Sequence, residues 1–159
     1  MYFKLIELGK TEVIGIPVLL AKSQSENFDI ISNHWKNFNQ QLKKNNRANK
    51  KNWRKYGITY KIENKYYYTS SIEPEYLFEN TDFEKYIIVK GTYAKFRHRG
   101  AMKRLKDTYY KIYKNILPNC DLVPKKNCSL LHFERYDHRF NWNHSDSIID
   151  IFILIEKKK

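Results

Sequence analysis

One short extended segment carries a histidine, a glutamate and a tyrosine at alternate positions. In the run Leu130–Tyr136, strand alternation places His132, Glu134 and Tyr136 on one face. If that face is solvated, a carboxylate there needs no further explanation. If it lines a cleft, the desolvated carboxylate needs a cation or hydrogen-bond donors. It could then bind a cationic ligand or, with His132 or Tyr136 as partner, activate water as a general base.

Aromatic side chains are the second feature with chemical meaning. The chain has 13 tyrosines, and a buried tyrosine needs a partner for its hydroxyl, which favours a cavity with polar walls over a dry core. Aromatic faces around one carboxylate would bind a flat organic cation by cation–π attraction and charge pairing. The candidate stacking residues lie on predicted strands or at matching places in two predicted helices: Tyr56, Tyr68, Trp35 and Tyr109.

Other chemistry finds little support in the residue pattern. The five histidines lack paired ligand spacing, and Cys120 and Cys128 match no zinc or redox motif. Neither a glycine-rich phosphate loop nor a nucleophile elbow occurs, so we expect no metal and no cofactor. Two unpaired cysteines, no signal peptide and no membrane-length apolar run predict a cytoplasmic protein without a membrane partner.

An apolar pattern that occurs twice predicts the elements that position these residues. Two stripes with offsets of 0, 3, 7, 10 and 14 residues begin at Phe28 and Met102, and each indicates an amphipathic helix. The first helix follows a capping box, Ser23 to Glu26. The predicted strands are 2–8, 12–21, 56–62, 66–73, 86–98, 130–136 and 148–155.

This order predicts an α+β fold. We expect a tandem β-α-β-β repeat with pseudo-two-fold symmetry, antiparallel sheets, and two main helices around a central cleft. The expected organisation is a single domain over residues 1–159, with repeat halves at about 1–74 and 84–157 and an acidic connector over 75–85. Such an interface between repeats is a place where ligand pockets form.

The net charge of +13 leaves two interpretations open. Residues 36–55 hold eight basic side chains and residues 90–106 hold seven, with no acid in either stretch. These stretches could bind a nucleic acid or another anionic partner. Alternatively, they reflect a chain rich in Lys, Asn, Ile and Tyr throughout, with a solvated basic loop over 43–51. No recognised nucleic-acid motif is present.

Several short motifs, taken in order, resemble the GyrI-like small-molecule-binding domain. This is also the effector-binding domain of AraC-type and related multidrug-responsive bacterial transcription regulators. The resemblance covers about residues 3–156. Its motifs include Val13-Ile14-Gly15, Tyr56-Gly57-Ile58, Gly91-Thr92-Tyr93-Ala94-Lys95-Phe96 and Phe133-Glu134-Arg135-Tyr136-Asp137.

The resemblance implies a central channel that is lined by aromatic side chains and contains one buried glutamate. The family's glutamate corresponds to Glu134, its strand tyrosine to Tyr68, and its aromatic residue on the first helix to Trp35. Known members bind lipophilic, often cationic drugs and dyes. We therefore expect a stand-alone multidrug-binding or effector-binding protein without its own DNA-binding domain. The expected ligand-binding residues are Glu134, Tyr136, His132, Tyr68, Tyr56, Trp35 and Tyr109.

The family's other activities leave alternatives open. Some members hydrolyse cyclopropane-bearing genotoxins, which would make Glu134 catalytic; otherwise we expect no catalytic residue. Some members protect DNA gyrase, which would make gyrase, a regulator or nucleic acid a partner of the basic surface.

Overall fold

The described part of the chain forms nine strands and two long helical segments. The computed structural model describes residues 2–45, 53–74 and 82–159. The second helical segment, residues 102–119, consists of a 3-10 turn at Met102–Arg104, the helix α2 at Leu105–Tyr110, a π-helical turn at Lys111–Ile116 and a 3-10 turn at Leu117–Asn119. The other elements are β1 Lys4–Leu8, β2 Thr11–Leu19, α1 Gln24–Asn45, β3 Lys55–Ile62, β4 Lys65–Ile72, β5 Glu84–Ile88, β6 Gly91–Arg99, β7 Leu122–Pro124, β8 Leu130–Tyr136 and β9 Ile148–Lys157.

The order of strands in the sheet is symmetric about its centre. It runs β1-β6-β9-β8-β3-β4-β2-β5, with β7 paired to the end of β9 and every pairing antiparallel. If each strand of the first half is exchanged for its counterpart in the second half, the same order results, read from the other edge. An approximate two-fold axis therefore lies between β3 and β8. The α+β fold with an antiparallel sheet and two helices, predicted from the repeated stripes, is confirmed.

The two halves exchange their first strands. Strand β1 pairs with β6 of the second half, and β5 pairs with β2 of the first. Strands β1 and β5 are each five residues long, and β2 and β6 are each nine. The prediction of one strand over 86–98 is therefore wrong. The chain turns at Val89-Lys90 because β5 and β6 lie in opposite halves of the sheet, as Gly9-Lys10 turns between β1 and β2.

Both faces of the curled sheet are covered by apolar side chains. One face packs against the helices, with Phe38, Ile112 and Ile151 completely buried. On the opposite face, side chains from all eight strands of the main order meet around Phe133 and Phe152, whose rings stack at 4.6 Å. The curl is what brings the edge strands β1 and β5 into this second core. Within the described ranges, none of the helices has the length and apolarity needed to cross a bilayer.

The first helix begins where the sequence predicts, whereas the second helix is less regular than a simple α-helix. Helix α1 begins at Gln24, and the Glu26 N–H donates to Ser23 Oγ at 3.4 Å, which agrees with the predicted N-cap. The apolar stripe that begins at Met102 indicates an amphipathic helix, and the structure is helical there but contains the π-helical turn. Residues 46–52 of the basic loop and residues 75–81 of the acidic connector lie outside the described residues.

Candidate functional site

Glu134 is a buried carboxylate in the middle of β8 that accepts three tyrosine hydroxyls. The Tyr68 and Tyr136 hydroxyls donate to Oε1 at 2.9 and 2.6 Å, and the Tyr109 hydroxyl donates to Oε2 at 2.6 Å. The Trp35 indole N–H donates in turn to the Tyr68 hydroxyl at 2.9 Å. We call these five residues the glutamate cluster. Its members come from α1, β4, α2 and β8, so both halves of the chain contribute to it.

A glycine opposite Glu134 makes room for this arrangement. Gly57 of β3 pairs with Glu134 of β8, and the two residues therefore share one face of the sheet. A Cβ at Gly57 would lie 1.9 Å from the Tyr68 hydroxyl and 2.9 Å from Glu134 Oε1. Gly57 was not among the predicted site residues. A glycine inside a strand, which often marks a close approach of another group, was the available signal.

The electrostatics of the glutamate cluster follow from its burial. Desolvation raises the pKa of Glu134, although the hydrogen bonds from Tyr109, Tyr136 and Tyr68 act in the opposite direction. Burial and the nearby carboxylate hold the tyrosine pKa values well above 10, so the hydroxyls remain donors. Among the described residues, no cation forms an ion pair with Glu134. Within these residues, the carboxylate is compensated by hydrogen bonds alone.

His132 lies two residues before Glu134 and joins the same face. Its ring is 4.5 Å from that of Tyr109, and its Nδ1 is 2.9 Å from the Tyr113 hydroxyl. Burial lowers the pKa of His132 to about 4, so the imidazole is neutral near pH 7. Tyr113, one turn after Tyr109, was missed by sequence reasoning because it lies outside the predicted apolar stripe.

The structure does not bring Tyr56 to Glu134. Tyr56 pairs with Arg135, so it lies on the opposite face of the sheet. Its ring packs 6.1 Å from that of Phe133, and its hydroxyl donates to Glu73 at 2.8 Å. The other six predicted ligand-binding residues lie in the glutamate cluster or, for His132, in contact with it.

A small cavity with aromatic walls adjoins the glutamate cluster. Its volume is about 60 Å³, and all three tryptophans of the chain line it. Two of its lining residues, Trp35 and Tyr136, also belong to the glutamate cluster, so one layer of side chains separates the cavity from Glu134. We call it the tryptophan cavity; its lining is Trp35, Asn39, Trp53, Lys55, Tyr136, Phe140 and Trp142.

A larger recess of about 410 Å³ lies elsewhere, between the β7–β8 connection and the C-terminal lysines. It has no aromatic lining and shares no residue with the glutamate cluster. We therefore place the candidate site at the tryptophan cavity, despite its smaller size. Trp53, Phe140 and Trp142 were not predicted, because they precede or follow strands and belong to no periodic pattern.

Replacing Gly57 with alanine is expected to lower the free energy of unfolding by about 1–3 kcal/mol, the range for overpacking a core. The new methyl group would displace the Tyr68 hydroxyl from Glu134. Chemical denaturation of Gly57→Ala and of the control Gly9→Ala would measure the effect. A Cβ at Gly9 meets no atom within 4 Å. Equal stability of the two variants would contradict the assigned role of Gly57.

Comparisons with known proteins agree with this fold. Residues 4–155 match the model of a family described as Cass2, integron-associated effector binding protein. The structure of SAV2435 bound to tetraphenylphosphonium superimposes with a TM-score of 0.71 at 16% identity, covering 98% of this chain and 94% of that one. No curated protein sequence matches the chain.

Two further solved structures are similar throughout. The integron cassette protein VCH_CASS2 from the mobile metagenome of Vibrio cholerae has a TM-score of 0.62 at 16% identity, covering 98% of this chain and 96% of that one. The EcmrR C-terminal domain has a TM-score of 0.62 at 15% identity, covering 99% of both chains. At these identities the structures establish a common fold.

Proposed function

The chain belongs to the family of integron-associated effector binding proteins, and from that membership we propose that it binds lipophilic aromatic small molecules, cations in particular, in the tryptophan cavity. One observation carries the proposal. A buried carboxylate that accepts three hydroxyls, and that has no cationic partner among the described residues, lies one layer of side chains behind a cavity lined by three tryptophans. Aromatic faces and a desolvated negative charge are complementary to a lipophilic cation.

The size of the cavity sets a condition on binding. Ligand pockets for drug-sized molecules have volumes of roughly 300–1,000 Å³, whereas the tryptophan cavity has about 60 Å³. Binding therefore requires side chains to move apart. Trp53 and Trp142 lie outside the strands and helices, in the segments that precede β3 and follow β8. Movement of these two side chains would open the cavity without breaking the sheet.

One of the comparison structures supports the ligand class. SAV2435, which shares the fold over nearly its whole length, is bound to tetraphenylphosphonium, an aromatic lipophilic cation. In this chain, such a molecule would stack on the tryptophans while the negative potential of Glu134 favours its charge. A multidrug range, a cytoplasmic location and a role with a regulator partner stay predictions within this proposal.

The two alternatives from the sequence stay predictions as well. A hydrolase would use Glu134 as a general base, yet both of its carboxylate oxygens accept tyrosine hydroxyls. A gyrase or nucleic-acid partner would use the basic stretches, of which residues 46–52 lie outside the described residues. Neither alternative is favoured by a particular contact.

Titration of the protein with tetraphenylphosphonium tests the proposal. Because all three tryptophans line one cavity, intrinsic fluorescence reports on that place directly. We expect a saturable fluorescence change together with a rise in the unfolding temperature, since a ligand that binds the folded state stabilises it. Tetramethylammonium, a cation without aromatic surface, should produce neither effect. Absence of a saturable response to tetraphenylphosphonium would contradict the proposed function.

A further inference from the structure

A positively charged side chain of the protein itself lines the tryptophan cavity. Lys55, the first residue of β3, supplies the only charged side chain among the described residues that line it. Its Nζ lies 4.8 Å from the centre of the Trp53 ring and donates to Asn39 Oδ1 at 2.7 Å. The ammonium group therefore occupies a cation–π position on one of the three tryptophans.

This ammonium group has no carboxylate partner in the part of the chain that the structure describes. Its neutral partners are the Asn39 amide oxygen and the Trp53 ring. Burial lowers the pKa of Lys55, and the positive charge of Lys43 lowers it further. A partly desolvated cation with only neutral partners gains most from an anion placed nearby and is repelled by a second cation.

Two opposite charges thus act on any ligand in the cavity. Glu134 lies behind Tyr136 and Trp35, where it accepts three hydroxyls, whereas Lys55 lines the cavity directly. A ligand cation that stacks on Trp53 would therefore lie closer to the ammonium group of Lys55 than to the carboxylate of Glu134. A lysine side chain is flexible, so it can leave the ring and extend into water when another cation takes its place.

We propose that Lys55 determines the charge selectivity of the tryptophan cavity. Its ammonium group holds the place of a ligand cation on Trp53, so a lipophilic cation binds only by displacing it, whereas an aromatic anion forms an ion pair with it. This inference rests on the proposed function, because it assigns a selectivity to the same cavity. It makes Lys55 a specificity-determining residue that acts against Glu134.

Tetraphenylphosphonium and tetraphenylborate provide a matched pair of probes, since they have nearly the same shape and opposite charge. Both would be titrated against the wild-type protein, Lys55→Met and Lys61→Met by tryptophan fluorescence. Lys61 is a matched control: it lies on the same strand, its Nζ is 5.5 Å from the Tyr66 ring, and it is exposed. Six residues along a strand place it roughly 20 Å from Lys55.

We expect Lys55→Met to strengthen the binding of tetraphenylphosphonium about tenfold and to weaken that of tetraphenylborate by a similar factor, the size of one desolvated charge contact. Lys61→Met should change either affinity less than about twofold, because exposed charges at that distance are screened by salt. Lys55→Gln should behave as Lys55→Met does, and Lys55→Arg should keep the wild-type preference.

Two results would overturn the inference. Only the second of them would also contradict the proposed function. If the probes bind and the ratio of their affinities is the same in wild type, Lys55→Met and Lys55→Gln, Lys55 does not select charge, and the proposed function still holds. If no variant responds saturably to either probe, the proposed function fails and the inference fails with it.

Discussion

Replacing Asp150 with asparagine is expected to lower the free energy of unfolding by about 2–4 kcal/mol. The Asp150 side chain, on β9, is only 1% exposed, and Arg139 Nη2 donates to its Oδ2 at 2.6 Å. Arg135, Lys95 and Arg97 place further cationic nitrogens within 3.5–3.8 Å of its carboxylate. Four cationic side chains therefore converge on one buried carboxylate, and one of them, Arg139, also forms an ion pair with Asp137 at 2.9 Å.

The expected magnitude follows from what the substitution leaves behind. Removing one partner of a buried ion pair costs about 3–5 kcal/mol, because the other charge loses its compensation. Here the cations are between 20% and 54% exposed, so water recovers part of that cost. Asparagine keeps the shape of the side chain and one acceptor oxygen, and the loss therefore reports mainly the missing charge.

Asp107→Asn provides the control for this prediction. Asp107 forms an exposed ion pair with Arg104 at 3.4 Å, and such pairs contribute about 0–1 kcal/mol. Denaturant unfolding of both variants at low and high salt would separate the two effects. We expect added salt to narrow the gap between Asp150→Asn and wild type, because screening reduces repulsion among the four cations. Equal stability of the two variants would show that the Asp150 charge is dispensable.

Replacing Glu134 with glutamine is expected to weaken the binding of tetraphenylphosphonium about 10- to 100-fold. This corresponds to about 1–3 kcal/mol, the attraction between two unit charges separated by roughly 6–12 Å at an effective dielectric constant of about 20. The substitution removes the negative charge behind the tryptophan cavity while keeping the volume of the side chain. The affinity for tetraphenylborate should not fall, since an anion loses no favourable contact. Fluorescence titration of both probes measures the two affinities.

Glu73→Gln is the matched control, because Glu73 also accepts a tyrosine hydroxyl, that of Tyr56, at 2.8 Å. Tyr56 lies on the opposite face of the sheet from Glu134, so this variant should bind as wild type does. If Glu134→Gln binds tetraphenylphosphonium as tightly as Glu73→Gln, Glu134 does not attract the ligand.

The pH dependence of binding provides a second measurement on Glu134. Burial raises the pKa of Glu134 above 4.5, and the protonated form carries no charge. Because tetraphenylphosphonium is a permanent cation, its affinity for the wild type should fall as the pH is lowered through that raised pKa. The affinity of Glu134→Gln should not change above about pH 5, where His132, with a pKa of about 4, stays neutral.

Alternation within one strand predicted correctly which of its side chains share a face. His132, Glu134 and Tyr136 do share a face of β8, and the matching helix positions Trp35 and Tyr109 both reach the glutamate cluster. Which residues of one strand or helix share a face depends only on the period of that element, and the spacing of residue types along the sequence shows this period directly.

Alternation could not predict which residues of neighbouring strands lie side by side. Alternation shows that Tyr56 and Gly57 point to opposite faces, but only the register of β3 against β8 decides which of them lies beside Glu134. That register is set by pairing between distant parts of the chain. The same limit explains why Lys55, Trp53 and Trp142 were missed, since they meet only after the sheet has formed and its loops have packed.

The exchange of first strands between the halves has a consequence for how the protein folds. Strand β1 pairs Lys4 with Lys95, so the edge of the sheet closes only over a very long stretch of chain. Folds dominated by such distant pairings form slowly, typically in milliseconds to seconds. During synthesis, Trp35 and Tyr68 leave the ribosome well before Glu134 and Tyr136. The nascent chain therefore completes the glutamate cluster late, once the second half has been translated and has paired with the first.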